Sequence, residues 1–280
     1  KKYFNSEIIK ILFDGQINSF SGQKLEISFT QGVSILLNMS IENNEVINFN
    51  YDSKNPIFQT DSTIIDSPIA LSLNGFFSLF NRSSSRSRGR IRRSFPLQYM
   101  DLTEKFSEID GSPSPIISNP EILEEIKKII NGTVEYNRNR RTFSFSRPNQ
   151  VEINISNLAT GIKSFVVLQL LLLSGNINPH SILRIDEPEI HLHPKWEIEY
   201  ARIIVELSKA GIPIIISTHS PYFIKALTVY SKNYQITENI KVYYGKANES
   251  GLTTFDDITL NLQPFLITLS EPMQQLFLDS

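Results

Sequence analysis

Two short apolar strands separated by one helix restrict the fold of this chain more than any other feature. The segments 182–186 and 212–217 are rich in isoleucine, and between them a helical pattern begins at Pro194 and ends at Gly211. A strand, a helix and a second strand in this order form a right-handed βαβ unit with parallel strands. The sequence therefore predicts an α/β fold that contains a parallel sheet.

The chain divides into three regions with different sequence patterns. Residues 1–55 predict a short helix and then an antiparallel β-meander, because no crossover helix separates the alternating segments. Residues 56–150 are polar and interrupted by prolines, and they predict a helical or irregular insertion with an amphipathic helix over 119–130. Residues 151–280 hold the βαβ pattern, which follows a predicted helix over 161–173.

Composition excludes several classes of protein. With no cysteine, the chain has no disulfide framework, no thiol nucleophile and no thiolate metal site. Its 27 Lys and Arg and 29 Asp and Glu give a net charge of -2, which excludes a uniformly basic nucleic-acid binder. The longest apolar run, 165–173, is far shorter than the roughly 20 residues of a membrane helix. We therefore expect no membrane association and a cytoplasmic location.

Two adjacent carboxylates, Asp186 and Glu187, end the first strand of the βαβ unit. Ligands of open α/β sheets bind beyond the carboxyl ends of the strands. Asp186 can hold Mg²⁺ there, because Mg²⁺ prefers oxygen ligands and shares them with phosphates. Glu187 can accept a proton from an attacking water. Taken alone, the pair is also compatible with an ordinary acidic turn after a strand.

A histidine follows the second strand of the unit. The strand ends in Ser217-Thr218-His219-Ser220, so His219 is expected beside Asp186 at the same edge of the sheet. A histidine in this position can donate a hydrogen bond to a terminal phosphate. Two polar strand ends on neighbouring strands favour a nucleotide site over a structural histidine.

Small residues open the helix that precedes the acidic strand. The sequence Leu158-Ala159-Thr160-Gly161 leaves backbone N–H groups exposed at a helix start, where the helix dipole favours an anion. Thr160 and Lys163 can add side-chain donors. By itself this pattern is common, since many helices begin with Thr-Gly.

Three motifs in this order resemble those of the ABC-class ATPases. They are Asn-Leu-Ala-Thr-Gly-Ile-Lys-Ser-Phe at 157–165, Ile-Asp-Glu-Pro-Glu-Ile-His-Leu-His-Pro-Lys-Trp at 185–196 and Ile-Ser-Thr-His-Ser-Pro-Tyr-Phe at 216–223. The chain is most similar to the SMC-like and OLD-like AAA ATPases of bacterial antiphage systems, in particular the Septu PtuA-type and retron-associated ATPases. The resemblance covers about residues 155–228. It implies an ABC-type ATPase head, with a RecA-like parallel-sheet lobe beside the antiparallel β-subdomain and the insertion.

The resemblance also implies roles for individual residues. Asp186 is the Walker B aspartate that binds the metal, Glu187 is the catalytic base and His219 is the switch histidine. The residues implied to contact the nucleotide in and beside the signature loop are Leu158, Ala159, Thr160, Gly161 and Lys163. The implied cofactors are ATP and Mg²⁺. Because the signature loop of one head completes the site of another, self-association of heads is implied as well.

The chain departs from the family pattern in two places. Ala159 stands where the signature usually has serine, so a hydroxyl contact to the γ-phosphate is lost unless Thr160 supplies it. No Gly-x-x-x-x-Gly-Lys-Ser/Thr phosphate-binding loop occurs in the 280 residues. The Gly245-Lys246 pair is predicted to lie in an ordinary loop. We expect the Walker A loop upstream of Lys1, and a scaffold that does not hydrolyse ATP is the alternative.

Two further clusters leave alternatives open. The arginine- and serine-rich segment from Arg82 to Arg93 predicts a contact with nucleic acid or a partner, or equally a solvated loop. Glu189, His191 and His193 resemble a small metal cluster, but we favour a structural or interface role for them.

The partner implied by the resemblance is an effector in antiphage defence, such as an HNH nuclease or a retron complex, that the head regulates. A head of an OLD-type nuclease is a further alternative. That class needs an acidic Toprim domain after the head, and only about fifty residues follow the last motif in this chain.

Overall fold

A computed structural model describes the following parts of the chain: residues 24–31, 34–42, 45–51, 61–73, 97–111, 119–137, 142–247 and 253–278. The chain divides into two compact units, residues 1–60 and residues 61–280. The segment 82–93 and the short helix predicted before residue 24 lie outside the described residues.

The first unit contains an antiparallel meander of three strands. Its strands are β1 (Lys24–Gln31), β2 (Ser34–Glu42) and β3 (Glu45–Tyr51), in the order β1-β2-β3. Alternating polar and apolar residues suit such strands, because successive side chains of a strand point to opposite faces of the sheet. The predicted meander is confirmed.

The described residues of the second unit form helices and three small sheets. In chain order its elements are β4 (Asp61–Ile65), a 3-10 helix (Pro68–Leu73), α1 (Leu97–Gly111), α2 (Pro120–Ile130), β5 (Thr133–Asn137), β6 (Thr142–Ser146), β7 (Ile153–Asn154), a 3-10 helix (Ile155–Asn157), α3 (Thr160–Leu173), β8 (Ser181–Asp186), α4 (Pro194–Lys209), β9 (Ile214–Ser217), α5 (Pro221–Asn233), a 3-10 helix (Thr237–Asn239), β10 (Tyr243–Ala247), β11 (Thr253–Asp257) and α6 (Gln263–Leu278).

The parallel sheet has the order β4-β8-β9 among the described residues. The strand β8, the helix α4 and the strand β9 form the predicted βαβ unit, and Asp186 is paired with Ser217 at its end. The α/β fold with a parallel sheet beside antiparallel sheets is therefore confirmed. The strand β4 was not predicted, and Ile65 pairs with Ile185 of β8. One strand of the sheet thus comes from the region predicted to be an insertion, while the boundaries at 55/56 and 150/151 stay predictions.

Two antiparallel sheets complete the second unit, in the orders β5-β6-β7 and β10-β11. Phe143 and Phe145 of β6 are both buried, so their rings fill the core and are not available to stack on bases. The prediction of a loop at Gly245-Lys246 is wrong. Both residues lie in β10, where Gly245 is paired with Phe255 of β11.

The helix α3 occupies the centre of the core. Its residues from Phe165 to Leu172 are buried on all sides, as expected for a helix that is apolar all round. The ring of Phe165 meets those of Trp196 and Tyr200 of α4 edge to face, with centroids 5.8 Å and 5.2 Å away. The buried Gln169 accepts from the Val134 N–H and so ties α3 to β5.

The amphipathic helix predicted over 119–130 is confirmed as α2. Pro120 begins it, and Ile122, Leu123, Ile126 and Ile130 form its buried face. Among the helices of the described ranges, none combines the length and the apolar character that crossing a membrane requires.

Candidate functional site

The carboxyl ends of β8 and β9 meet at one edge of the parallel sheet. Asp186 is the last residue of β8, and the hydroxyl of Ser217, the last residue of β9, donates to its Oδ1 atom. One residue further on, the Glu187 N–H donates to the Ser217 carbonyl oxygen over 2.9 Å. These two hydrogen bonds to Ser217 hold Asp186 and Glu187, the two predicted acidic residues, at the edge of the sheet.

Glu187 has an unusual backbone conformation. Its φ angle is +43°, in the left-handed region that side chains other than glycine rarely adopt. The next residue is the buried Pro188, and a residue before proline normally prefers an extended backbone. Strained residues of this kind concentrate at functional sites, where the surrounding structure holds them. The strain therefore favours a functional role for Glu187.

Glu187 and His219 face each other at this edge. The His219 Nε2 atom lies 3.4 Å from Glu187 Oε1. The imidazole is 84% exposed and the carboxylate 38%, so both are open to an incoming ligand. The structure thus brings together Asp186, Glu187 and His219, as their positions at the ends of neighbouring strands predicted.

Glu189 lies behind this exposed edge, and one of its oxygens binds three consecutive residues. Its Oε1 atom accepts from Thr218 Oγ1 and the His219 N–H, both over 2.8 Å, and from the Ser220 N–H over 3.1 Å. Its Oε2 atom is buried and has no hydrogen-bond partner among the described residues. The carboxylate therefore holds the backbone that carries His219.

A buried carboxylate, Glu197 of α4, lies next to the half-buried Glu189. Ser220 donates its hydroxyl to Glu197 Oε1 and accepts from the Phe223 N–H, which caps the start of α5. Burial raises the pKa of Glu197, and the charge of Glu189 raises it further, while the bonds from Ser220 and Phe223 oppose the rise. The folded protein therefore holds the proton of this carboxyl more tightly than the unfolded chain does.

The predicted signature loop leads into the start of α3. Leu158 is buried, Ala159 is exposed and Thr160 is half-buried. Ala159 occupies the cap position and offers no side-chain acceptor to the first turn. The starts of α4 and α5 differ, because His193 and Ser220 cap them through their side chains. The first N–H groups of α3 are thus left for water or an anion.

Gly161 lies in close contact with the loop that follows Glu187. A methyl group on its Cα would lie 2.9 Å from the carbonyl oxygen of His191 and 3.4 Å from the ring of Trp196. His191 itself has a φ angle of +69°. The start of α3 and the loop 187–193 are therefore packed without space for a side chain at 161.

Lys163 lies one turn into α3 and is 7% exposed. Its ammonium donates to Ser72 Oγ and to the Ser156 carbonyl oxygen, each over 2.8 Å. Burial lowers the pKa of Lys163. In this arrangement Lys163 fastens the signature helix to the two 3-10 helices beside it, and it can reach a phosphate only by leaving these acceptors.

The histidines of the loop 187–193 have roles within the chain. The His193 Nδ1 atom accepts from the Lys195 N–H over 3.2 Å, which caps α4. The carbonyl oxygen of His191 faces Gly161. Within the described ranges, no group of three or more His, Asp or Glu side chains is arranged to hold a metal ion.

The exposed edge suits a magnesium ion by the chemistry of its donors. Asp186 offers a carboxylate and Ser217 a hydroxyl, held side by side at the ends of paired strands. Oxygen ligands are what Mg²⁺ prefers, and it is commonly bound by one or two carboxylates together with substrate phosphates. The residues present therefore fit an ion that is shared with a nucleotide.

Sequence reasoning did not assign Ser217, Glu197 or the role of Glu189. The contacts of Glu189 reach residues 29 to 31 positions away, so no local spacing reveals them. A signal was present for Ser220, because serine directly before a proline-started helix is a common cap. The pairing of the two strands makes Ser217 a neighbour of Asp186.

Comparison with known proteins adds a family and one relative. The sequence profile of the AAA ATPase domain matches residues 2–224. A Vibrio cholerae serotype O1 biovar El Tor protein, "Retron Vc95 probable ATPase", is 34% identical over 90 residues. The match covers 29% of this chain and 17% of that protein, so the chain spans about a sixth of the length of the curated relative it matches.

Among the solved structures that match the chain are those of SMC proteins. The "SMC head domain from Thermotoga maritima" is 14% identical, with a TM-score of 0.43, over 84% of this chain and 73% of that one. A chain from a study of ATP-driven dimerization and DNA-stimulated activation of SMC ATPases is 16% identical, with a TM-score of 0.42, over 61% of this chain and 95% of that one.

Proposed function

The chain belongs to the AAA ATPase domain family, and from that premise we propose that it binds ATP with Mg²⁺ and hydrolyses the bond to the γ-phosphate. The reaction takes place at the edge where Glu187 and His219 lie 3.4 Å apart beside Asp186. This meeting of an exposed carboxylate and an exposed imidazole at the ends of paired parallel strands is the observation that carries the proposal.

Asp186 and Ser217 are the residues that would hold the metal ion. Their oxygens are adjacent, and the hydroxyl of Ser217 orients the carboxylate. When bound, Mg²⁺ neutralises part of the phosphate charge. In this role Asp186 binds and orients the metal ion, and the neighbouring Glu187 accepts the proton.

Glu187 is the group that accepts the proton of the attacking water. Its carboxylate is partly exposed, and its backbone departs from the extended conformation of a strand. The water gives its proton to a carboxylate oxygen as its own oxygen approaches phosphorus. General-base catalysis of this kind contributes roughly 10²- to 10⁴-fold.

His219 steadies the terminal phosphate. Its Nε2 atom is the nitrogen next to Glu187, so an N–H at this atom can donate to a phosphate oxygen that enters beside the carboxylate. Because the ring is 84% exposed, it can turn toward a ligand without breaking a packed core. Its backbone, in contrast, is held in place by Glu189.

The signature loop acts on the nucleotide of a second head. The uncapped start of α3, with Ala159, Thr160 and Gly161, offers backbone N–H groups and a favourable dipole to a γ-phosphate. Leu158 is buried beneath them, and Lys163 holds the helix start through Ser72 and Ser156. We include self-association of heads in the proposal for this reason.

In the cell this ATPase cycle would control a partner effector, such as a nuclease or a retron complex, in antiphage defence. The support is a relative named as a retron's probable ATPase, together with the resemblance of the three motifs. Contact of the segment 82–93 with nucleic acid stays a prediction, since that segment lies outside the described residues.

The test is the Glu187→Gln substitution in the full-length protein. The amide keeps the size of the side chain but cannot take a proton, so turnover should fall by roughly 10²- to 10⁴-fold while ATP binding persists. Phosphate release and ATP binding by calorimetry measure the two quantities. Glu121→Gln, at an exposed glutamate of α2, is the matched control and should leave both unchanged.

Hydrolysis by Glu187→Gln at the wild-type rate would contradict the assignment of Glu187 as the general base. Wild-type protein that has the same mass with and without ATP and releases no phosphate would instead favour the scaffold. Mass measurement of both proteins with and without ATP distinguishes the two results, since only a nucleotide-gated head changes its mass with ATP.

A further inference from the structure

We propose that Glu189 is the positioning residue of this site: it fixes the backbone of residues 218–220 so that His219 is presented to Glu187 and to the phosphate. The inference rests on the proposed function for its effect on turnover. Its structural half, the fixing of the segment, stands on the hydrogen bonds alone.

The arrangement of donors carries the proposal. One oxygen, Glu189 Oε1, collects a hydroxyl and two backbone N–H groups from three consecutive residues over 2.8 to 3.1 Å. Backbone N–H groups that follow a strand and precede a helix have no partner in either element, so a single acceptor that binds two of them sets the path of the chain. No bond in this group involves the imidazole of His219, which leaves the ring free for a ligand.

The remaining oxygen shows that stability alone does not explain this glutamate. Glu189 Oε2 is buried and has no partner among the described residues. The neighbouring Glu197 carries a second carboxyl, whose pKa the charge of Glu189 raises. An unpaired buried oxygen and a like-charged neighbour both work against folding. The three bonds that the other oxygen accepts therefore account for a hydrogen-bond acceptor at position 189.

The segment 218–220 is also anchored at its far end. Ser220 donates its hydroxyl to Glu197 and caps α5 through the Phe223 N–H. At its near end, Ser217 belongs to β9. The backbone of His219 is therefore held between a strand end and a helix start, with Glu189 as the acceptor at its centre.

The geometry predicts a defined order among substitutions at 189. Glutamine keeps a carbonyl oxygen at the same distance from the backbone and can accept the same three bonds. Alanine removes the acceptor, and aspartate withdraws it by one methylene. A charge-based role would instead make glutamine as harmful as alanine. We expect kcat for Glu189→Ala to fall by roughly 10²-fold, as a misplacement of about 1 Å does, and Glu189→Gln to recover most of it.

The experiment is a double-mutant cycle with His219 in the full-length protein. If Glu189 acts through His219, Glu189→Ala lowers kcat in the wild type but causes little further loss in the His219→Ala background. KM for ATP should change much less than kcat. An equal loss in both backgrounds, or an unchanged kcat in a folded Glu189→Ala protein, would overturn the proposal.

A second measurement separates this inference from the proposed function. Hydrogen exchange of the amides of His219 and Ser220 needs no hydrolysis. Glu189→Ala should speed their exchange strongly and Glu189→Gln should not. Unchanged exchange in Glu189→Ala overturns the positioning role. If the wild type hydrolyses no ATP, the proposed function fails, and exchange at these two amides still decides the role of Glu189.

Discussion

Two groups of side chains near the carboxyl ends of β8 and β9 differ in their exposure and in their hydrogen bonding. The exposed edge consists of Asp186, Glu187 and His219, and the anchoring pair consists of the half-buried Glu189 and the buried Glu197. The imidazole of the edge is 84% exposed, whereas Glu197 is 6% exposed. Glu187 and Glu189 are separated by a single proline.

The difference teaches that residue type and sequence distance do not define the role of an acidic residue. Within the part of the chain that the structure describes, the Glu187 carboxylate has one partner side chain, His219 at 3.4 Å, and stays available to a ligand. In Glu189, one carboxylate oxygen accepts hydrogen bonds from three donors of the chain itself. A carboxylate oxygen without hydrogen-bond partners is available for a reaction. An oxygen that already accepts hydrogen bonds suits a structural role, because it must break those bonds before it can react.

The largest effect is expected when the two neighbouring glutamates are compared through the same substitution. Glu187→Gln should lower kcat by roughly 10²- to 10⁴-fold, because an amide is no base. Glu189→Gln should stay within a few-fold of wild type, because an amide is still an acceptor. Steady-state phosphate release measures both. Equal losses would show that the two carboxylates act as one charged group.

A smaller effect separates the two groups in stability. Ser220→Ala removes both the cap of α5 and the bond to the buried Glu197, and should lower the free energy of unfolding by about 1 kcal/mol or somewhat more. Ser217→Ala at the exposed edge is the matched control and should stay within about 0.5 kcal/mol of the wild type. Urea unfolding followed by circular dichroism measures both. Similar losses at the two serines would contradict the division.

The smallest effect concerns the pH dependence of Glu197. Burial, supported by the charge of Glu189, raises the pKa of this carboxyl above the value of 4.5 that it has outside the fold. Its contribution to stability is therefore fully present below pH 4.5 and is lost as the pH rises through the higher folded-state pKa. Glu197→Gln is neutral throughout, so its stability relative to wild type should improve as the pH rises above 4.5.

Urea titrations of both proteins from mildly acid to neutral pH test this sign. The same series on Glu187→Gln is the control, since that carboxylate belongs to the exposed edge. A stability difference between wild type and Glu197→Gln that is constant with pH would show that the buried carboxyl does not titrate in this range.

Much of the parallel sheet could be predicted from the sequence because its signals are local. The apolar runs that became β8 and β9 are bounded by polar residues, Pro194 begins α4, and Gly211 follows the end of that helix with a φ angle of +86°. These features bias the chain before any tertiary contact forms. The expected proximity of Asp186 and His219 follows from the parallel pairing alone.

The elements that were not predicted depend on partners far away in the sequence. The strand β4 begins with three polar residues and is stabilised by pairing with β8, 120 positions later for Asp61 and Ser181. In β10, Gly245 suggested a loop, but Phe255 of β11 is its partner. The role of Glu189 has the same cause, since its donors belong to another strand end. Local propensity does not encode such pairings.

The contact of Gly161 with the His191 carbonyl oxygen bears on how this segment can be exchanged between relatives. The signature helix and the loop 187–193 share one boundary on which no side chain fits. A side chain at 161 would force the His191 carbonyl or the start of α3 to shift, and a shift of α3 would move the N–H donors of its first turn. Packing within one chain is thus enough to require the glycine, and a descendant that lost its nucleotide would still have to keep it.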